Sequence, residues 1–199
     1  MNIFISGGCK NGKSYHAQEL ARDMAKELGV PLYYLATMIP ADDEDRARIA
    51  RHLRERDGWG FETIEQGCSI LDCLKPGTRT CEGNPVDPAG VFLFDSVTAL
   101  LSNEMFPYGK DMDLGCGPRL AEELTEFARR TGNTVFVSDY IYSEARTFDE
   151  TTECYRRTLA MLDRTLAKEC DQVIEVTFGM KYLYKQSPGV SFSTPKEDR

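Results

Sequence analysis

The stretch with the clearest chemical content is Gly7 to Ser14, GGCKNGKS. Its spacing, G-x-x-x-x-G-K-S, is the phosphate-loop pattern. Gly7, Gly8 and Gly12 let the backbone turn tightly, so that the N–H groups of the loop, Cys9, Lys10 and Asn11 included, point at phosphate oxygens. A helix starting near Lys13 aims the positive end of its dipole at the same anion. Lys13 reaches the terminal phosphates, and the Ser14 hydroxyl is placed to ligate Mg²⁺. The bare pattern also arises by chance. Here an apolar run, MNIFIS, precedes it and an amphipathic stretch follows from Tyr15, which is the context a nucleotide loop needs.

Two further groups carry chemistry. Val91 to Asp95, VFLFD, is an apolar run ending in an acid. That is the Walker B form, with Asp95 at the carboxyl end of a buried strand to hold Mg²⁺ beside Ser14. An aspartate there also suits the cap of a helix starting near Ser96, and the two roles are compatible. The second group is His52, which sits among Arg46, Arg48, Arg51, Arg54 and Arg56. One reading is a solvated helix with i,i+4 charge pairs, and on these residues alone it is the simpler one. The other is a second phosphate site: a neutral imidazole can attack an α-phosphate while arginines stabilise the leaving pyrophosphate.

The elements that must position these groups follow from periodicity. Lys13 to Leu28 has Ala17, Leu20, Ala21, Met24 and Leu28 at helical spacing, with Gly29 as its stop. His16, on the first turn, reads as a partly exposed packing residue. Val30 to Thr37 is nearly continuous in apolar residues, as in a buried parallel strand, and Thr37 closes it where ligand-contacting loops emerge. Phe61 to Glu65 is a short strand, and Cys68 to Leu74 a short helix. Lys75 to Gly90 is a Pro- and Gly-rich surface excursion. Ser96 to Phe106 and Arg119 to Thr131 are helices, and Thr134 to Ser138 is another buried strand. Thr151 to Glu169 is a long helix, with a capping box drawn from Thr151 or Thr152 and Glu153. Gln172 to Phe178 and Lys181 to Lys185 form a hairpin around Gly179. The sum is an α/β fold with a mainly parallel sheet, helices on both faces and an antiparallel C-terminal edge. Residues 1–185 read as one domain and 186–199 as a polar tail.

Composition narrows the class. The chain has 199 residues and a net charge of −8, which argues against non-specific nucleic-acid binding and for a small-molecule substrate. No apolar run approaches the roughly 20 residues of a membrane span. Met1 runs straight into the first strand without a signal-peptide pattern. The seven cysteines form no C-x-x-C pair. They read as reduced thiols of a cytoplasmic protein, and a zinc site at Cys68, Cys73 and Cys81 lacks a nearby histidine.

At this point the residues resemble one family, the bifunctional adenosylcobinamide kinase/adenosylcobinamide-phosphate guanylyltransferases of cobalamin biosynthesis, over roughly Met1 to Lys185. The likeness rests on GGCKNGKS at the N-terminus, LYYLAT at a strand end, RIARH (Arg48 to His52), Thr63 to Glu65, and LFDSVTALLSN (Leu93 to Asn103). It implies a RecA-like P-loop NTPase fold and two reactions. Adenosylcobinamide is phosphorylated with ATP or GTP, and GMP is then transferred from GTP to that phosphate through a histidine–GMP intermediate. His52 matches the guanylylated histidine, which reverses the residue-level preference for a solvated helix. Gly7 to Ser14 match the nucleotide loop, with Lys13 catalytic. Leu35, Ala36, Thr37, Leu53, Arg54, Glu55, Arg56, Glu65 and Asp95 match segments expected to line nucleotide, and Ser14 and Asp95 the Mg²⁺ site. The resemblance also implies a homo-oligomer, a ring-like trimer. The chain departs from the family after TVFVS, where N-E-V-G gives way to Asp139, Tyr140, Ile141 and Tyr142. It departs again at Leu159 to Arg164, which lack the family's Gly and Asn-Gln. A P-loop kinase without the guanylyl step, and a non-catalytic nucleotide-binding protein, are the alternatives those departures motivate.

Overall fold

The computed structural model describes residues 1–40, 43, 47, 54, 56–142 and 145–188. A seven-stranded sheet organises them, in the order β3-β2-β4-β5-β1-β6-β7. The strands are β1 (Ile3–Gly7), β2 (Leu32–Ala36), β3 (Glu62–Glu65), β4 (Val91–Asp95), β5 (Thr134–Asp139), β6 (Gln172–Thr177) and β7 (Met180–Gln186). All neighbours pair parallel except β6 with β7, which are antiparallel. The helices are α1 (Lys13–Leu28), α2 (Val97–Met105), α3 (Gly117–Thr131) and α4 (Glu150–Glu169), with a 3₁₀ turn at Ile70–Leu74. The α/β fold expected from the sequence, with its antiparallel C-terminal edge, is the fold observed.

The apolar runs of the central strands are continuous because both sheet faces are covered. In β4 the side chains alternate: Val91 and Leu93 join Ile3, Ile5 and Val135 under α1, while Phe92 and Phe94 point to the opposite face. There Phe127 of α3 stacks edge-on to Phe92 and Phe94, with ring centroids 5.5 and 5.6 Å apart. Leu120 and Leu124 of α3 and Leu159, Leu162 and Leu166 of α4 complete that second core. The helices therefore fix strand order from both sides.

Local departures from the sequence reading have simple causes. His16 is buried, not partly exposed. Burial lowers its pKa to about 4, and Lys181 acts in the same direction, so α1 packs a neutral imidazole at neutral pH. The N-cap of α4 is Asp149, whose side chain accepts from Thr152 N–H at 3.0 Å. Glu153 reaches back to the Phe148 N–H at 3.2 Å, outside the expected Thr-based box. Ser96, not Asp95, caps α2 by accepting from the Ala99 N–H at 3.2 Å, so the Asp95 carboxylate is not used as the cap.

Candidate functional site

Register brings the chemistry to one edge. At the carboxyl ends of the strands Glu65 pairs with Ala36 and Ala36 with Asp95. Asp95 pairs with Val137 of β5, and Asp139, two residues further on, pairs with Gly7 of β1. Two residues of strand carry Asp139 about 6.6 Å beyond the level of Asp95. The carboxylate of Asp139 therefore stands beside the phosphate loop, and β5 separates the strand of Asp95 from that of the loop.

The loop is shaped by its own side chains. A Cβ on Gly7 would collide with the Asn11 amide and the Val176 carbonyl, so only glycine lets β1 leave the sheet here. Gly12 has φ 89, a left-handed value that opens α1 at Lys13. Asn11 is a brace: its amide donates to the Val176 carbonyl, and its Oδ1 accepts the Lys13 N–H at 3.1 Å. Lys13 Nζ donates to the Gly8 carbonyl at 3.1 Å and forms an ion pair with Asp139. Cys9 Sγ lies 3.9 Å from the same Asp139 oxygen. Ser14 is part-buried on the first turn of α1.

Around Asp95 the arrangement is layered. Tyr34 donates its hydroxyl to Asp95 Oδ2 at 2.8 Å. Burial, reinforced by that carboxylate, raises the Tyr34 pKa well above the usual phenol range, so the phenol stays a donor. The Arg56 guanidinium lies over the Tyr34 ring, 3.3 Å from its centroid, and Arg56 is buried. Three residues on, Trp59 meets the Tyr15 ring edge-on at 5.5 Å and carries Arg22 over its face at 4.5 Å. Residues 56–59 are thus fastened at two points, one against the partner of Asp95 and one against the residue that follows Ser14.

The other residues named from sequence fall in different places. Leu35 is fully buried in the aromatic core, so its side chain faces away from the edge. Ala36 is part-buried against the core under α1. Thr37 is also buried: its hydroxyl donates to the Ser96 carbonyl at 2.8 Å and accepts the Ser96 N–H at 2.7 Å. Asn103 donates to the Thr37 carbonyl at 2.6 Å, so Thr37 braces the ends of β2 and β4. Glu65 is exposed at the end of β3, and Arg54 is exposed and helical. His52, Leu53 and Glu55 lie outside the described residues. The Ser14 hydroxyl and the Asp95 carboxylate are each hard oxygen donors, the kind that suits Mg²⁺. Among the described residues there is no group of three or more His, Cys, Asp or Glu side chains placed to hold a metal, so the rest of such a shell would come from phosphate and water.

Behind the loop, Asp163 of α4 is buried and accepts the Tyr142 hydroxyl at 3.0 Å, with Ser138 beside it. Burial raises its pKa to about 6, and the nearby Asp139 carboxylate adds to the effect. The folded protein then binds more protons than the unfolded chain between about pH 4 and pH 6, and stability falls as pH rises through that window. Asp163→Asn keeps an acceptor for Tyr142 and removes the charge. It is expected to flatten that slope and raise unfolding free energy at pH 7 by about 1–3 kcal/mol. Urea denaturation from pH 4 to 8 reads both, and an unchanged slope would exclude Asp163 as its source.

Sequence reasoning did not single out Asp139, Tyr34 or Trp59 as site residues. The pairing of Asp139 with Lys13 spans more than a hundred residues and appears only when β5 is set against β1. The one sequence signal available was position, an acid at the carboxyl end of a buried strand, the same signal that selected Asp95.

Comparison with known proteins identifies relatives of the whole chain. The family model described as "Cobinamide kinase / cobinamide phosphate guanyltransferase" matches residues 3–183. The bifunctional adenosylcobalamin biosynthesis protein CobU of Escherichia coli is 32% identical over 114 residues, 57% of this chain and 55% of that protein. The match thus spans about half the length of that relative. CobP of Pseudomonas aeruginosa, which has the same description, is 26% identical over 188 residues, 94% of this chain and 99% of that protein. Among solved structures, the flagellar accessory protein FlaH of Methanocaldococcus jannaschii is similar with TM-score 0.47 and 16% identity, covering 94% of this chain and 78% of that one. The KaiC-like protein PH0186 of Pyrococcus horikoshii gives TM-score 0.45 and 10% identity over 93% and 78% of the two chains. Among the described residues no helix is long and apolar enough to cross a membrane.

Proposed function

Because the chain belongs to the cobinamide kinase / cobinamide phosphate guanyltransferase family, we propose that it catalyses two successive transfers on adenosylcobinamide. It first phosphorylates the aminopropanol hydroxyl with ATP or GTP. It then transfers GMP from GTP to that phosphate through a covalent GMP on His52, releasing pyrophosphate and giving adenosylcobinamide-GDP. Loop N–H groups and Lys13 cradle the phosphates. Ser14 and Asp95 are the residues that would hold Mg²⁺, which when bound neutralises charge on the phosphates. Arg56 and Trp59 fasten the chain that carries the histidine. A working assembly of several copies, a trimer, belongs to the same proposal.

One observation carries the pairing of the two chemistries. His52 precedes Arg56 by four residues, so the chain holds their Cα atoms within about 14 Å of each other. Arg56 in turn lies on Tyr34, whose hydroxyl bonds Asp95. The chain that carries the histidine is therefore joined to the strand edge that holds Asp95, which supports a reading in which both reactions draw on nucleotide bound at that edge.

Labelled nucleotide tests the reading. With adenosylcobinamide and Mg²⁺, γ-labelled ATP or GTP is expected to mark the corrinoid. α-Labelled GTP is expected to mark first the protein, in an acid-labile and alkali-stable form, and then the phosphorylated corrinoid. Transfer of neither label to the corrinoid would overturn the proposal.

A further inference from the structure

Asp139 is held in a particular state. Its backbone N–H donates to Thr98 Oγ1 at 2.9 Å, and the Thr98 carbonyl accepts the Tyr155 hydroxyl at 2.9 Å. That fixes the end of β5 against α2 and α4. Its carboxylate then takes the Lys13 ammonium, which is folded back over its own loop onto the Gly8 carbonyl. The lysine side chain is 7% exposed and the aspartate 25%. Lys13 has to leave this pair before it can reach the terminal phosphates of a nucleotide. A polyphosphate carries more charge than one carboxylate and competes with it for that ammonium. The Asp139 carboxylate is part-exposed, is fixed at its backbone and stands beside the loop.

We propose that Asp139 is the general base of the phosphoryl-transfer step and, before nucleotide binds, the partner of Lys13. The assignment rests on the kinase half of the function proposed above. As the acceptor oxygen attacks the γ-phosphorus, a new O–P bond forms and the bond from that phosphorus to the β,γ-bridging oxygen breaks. The bridging electron pair leaves with the nucleoside diphosphate, steadied by Lys13. The hydroxyl proton passes to Asp139 and from there to water.

The two roles predict opposite changes in one variant. Asp139→Asn keeps the shape and removes both the charge and the base. Nucleotide binding is expected to tighten by roughly threefold to tenfold, because no ion pair has to break. Phosphoryl transfer at saturation is expected to slow by about 10²-fold, the low end of general-base effects. Asp139→Glu, which restores a carboxylate, is expected to recover part of that rate. Calorimetric binding of ATP with Mg²⁺ and steady-state kcat, measured on the full chain, separate these from a structural role, which would weaken binding and stability together. Wild-type kcat in Asp139→Asn would overturn the assignment, as would weaker nucleotide binding. If the wild type transfers no phosphoryl group to cobinamide, the kinase reading itself has failed and the general base falls with it. The affinity measurement then decides the Lys13 partnership alone.

Discussion

In the His52→Ala protein, α-labelled GTP is expected to leave no acid-labile label on the chain, and GMP transfer to phosphorylated cobinamide is expected to cease. Phosphoryl transfer from γ-labelled nucleotide to cobinamide should continue. The reason for so large an effect is that a nucleophile cannot be replaced by its neighbours. In the proposed step imidazole nitrogen forms a bond to the α-phosphorus as the bond to the α,β-bridging oxygen breaks and pyrophosphate departs. Alanine leaves no lone pair at that position. The arginines around His52 can steady the leaving group but cannot form the intermediate. The result also discriminates between readings. A kinase that lacks the guanylyl step would give an unlabelled wild type, and the variant would then change nothing. Retention of label in His52→Ala would move the nucleophile elsewhere on the chain.

The two parts of the proposed chemistry were unequally legible in the sequence. The loop could be read because its whole grammar is local: strand, glycines, lysine, hydroxyl and helix lie within about fourteen consecutive residues. Asp95 was legible for a similar reason, since an acid closing an apolar run marks the carboxyl end of a buried strand. What could not be read is how those edges meet. Thr37 was expected to face ligand because it ends β2. In the folded chain it is spent on bracing Ser96, a contact between residues 59 apart. Leu35 was drawn into the nucleotide list by its neighbours, yet the strand alternation turns it inward. Asn11 sits inside the loop motif, and its side chain nonetheless serves β6. Arg56 carried no sign that its charge would lie on an aromatic ring of β2, with β4 and β5 between it and the loop. In each case the deciding partner is distant in sequence, so neither propensity nor periodicity records it. The family resemblance supplied His52 without any of that geometry. The geometry in turn supplied Asp139, at a point where the sequence departs from the family pattern.

Lys13→Ala is expected to lower phosphoryl transfer by about 10³-fold, in line with loss of a donor to developing phosphate charge. The structure adds a second contribution to that loss. In the wild type the Asp139 carboxylate is paired with Lys13. Without the lysine an uncompensated negative charge remains at the mouth of a loop that must accept a polyphosphate. Nucleotide affinity should therefore fall more than the missing contacts alone require, and the excess should shrink as salt rises, because the repulsion is part-exposed and screened. The double variant Lys13→Ala/Asp139→Asn separates the two contributions. If repulsion contributes, the double variant binds ATP with Mg²⁺ more tightly than Lys13→Ala alone, by roughly threefold to tenfold, while its phosphoryl transfer stays at the low level. Equal binding by the double variant and Lys13→Ala would instead mean that the Asp139 charge does not oppose nucleotide. Calorimetric titration of the four proteins at two salt concentrations distinguishes these results, with urea denaturation as the check that each is folded.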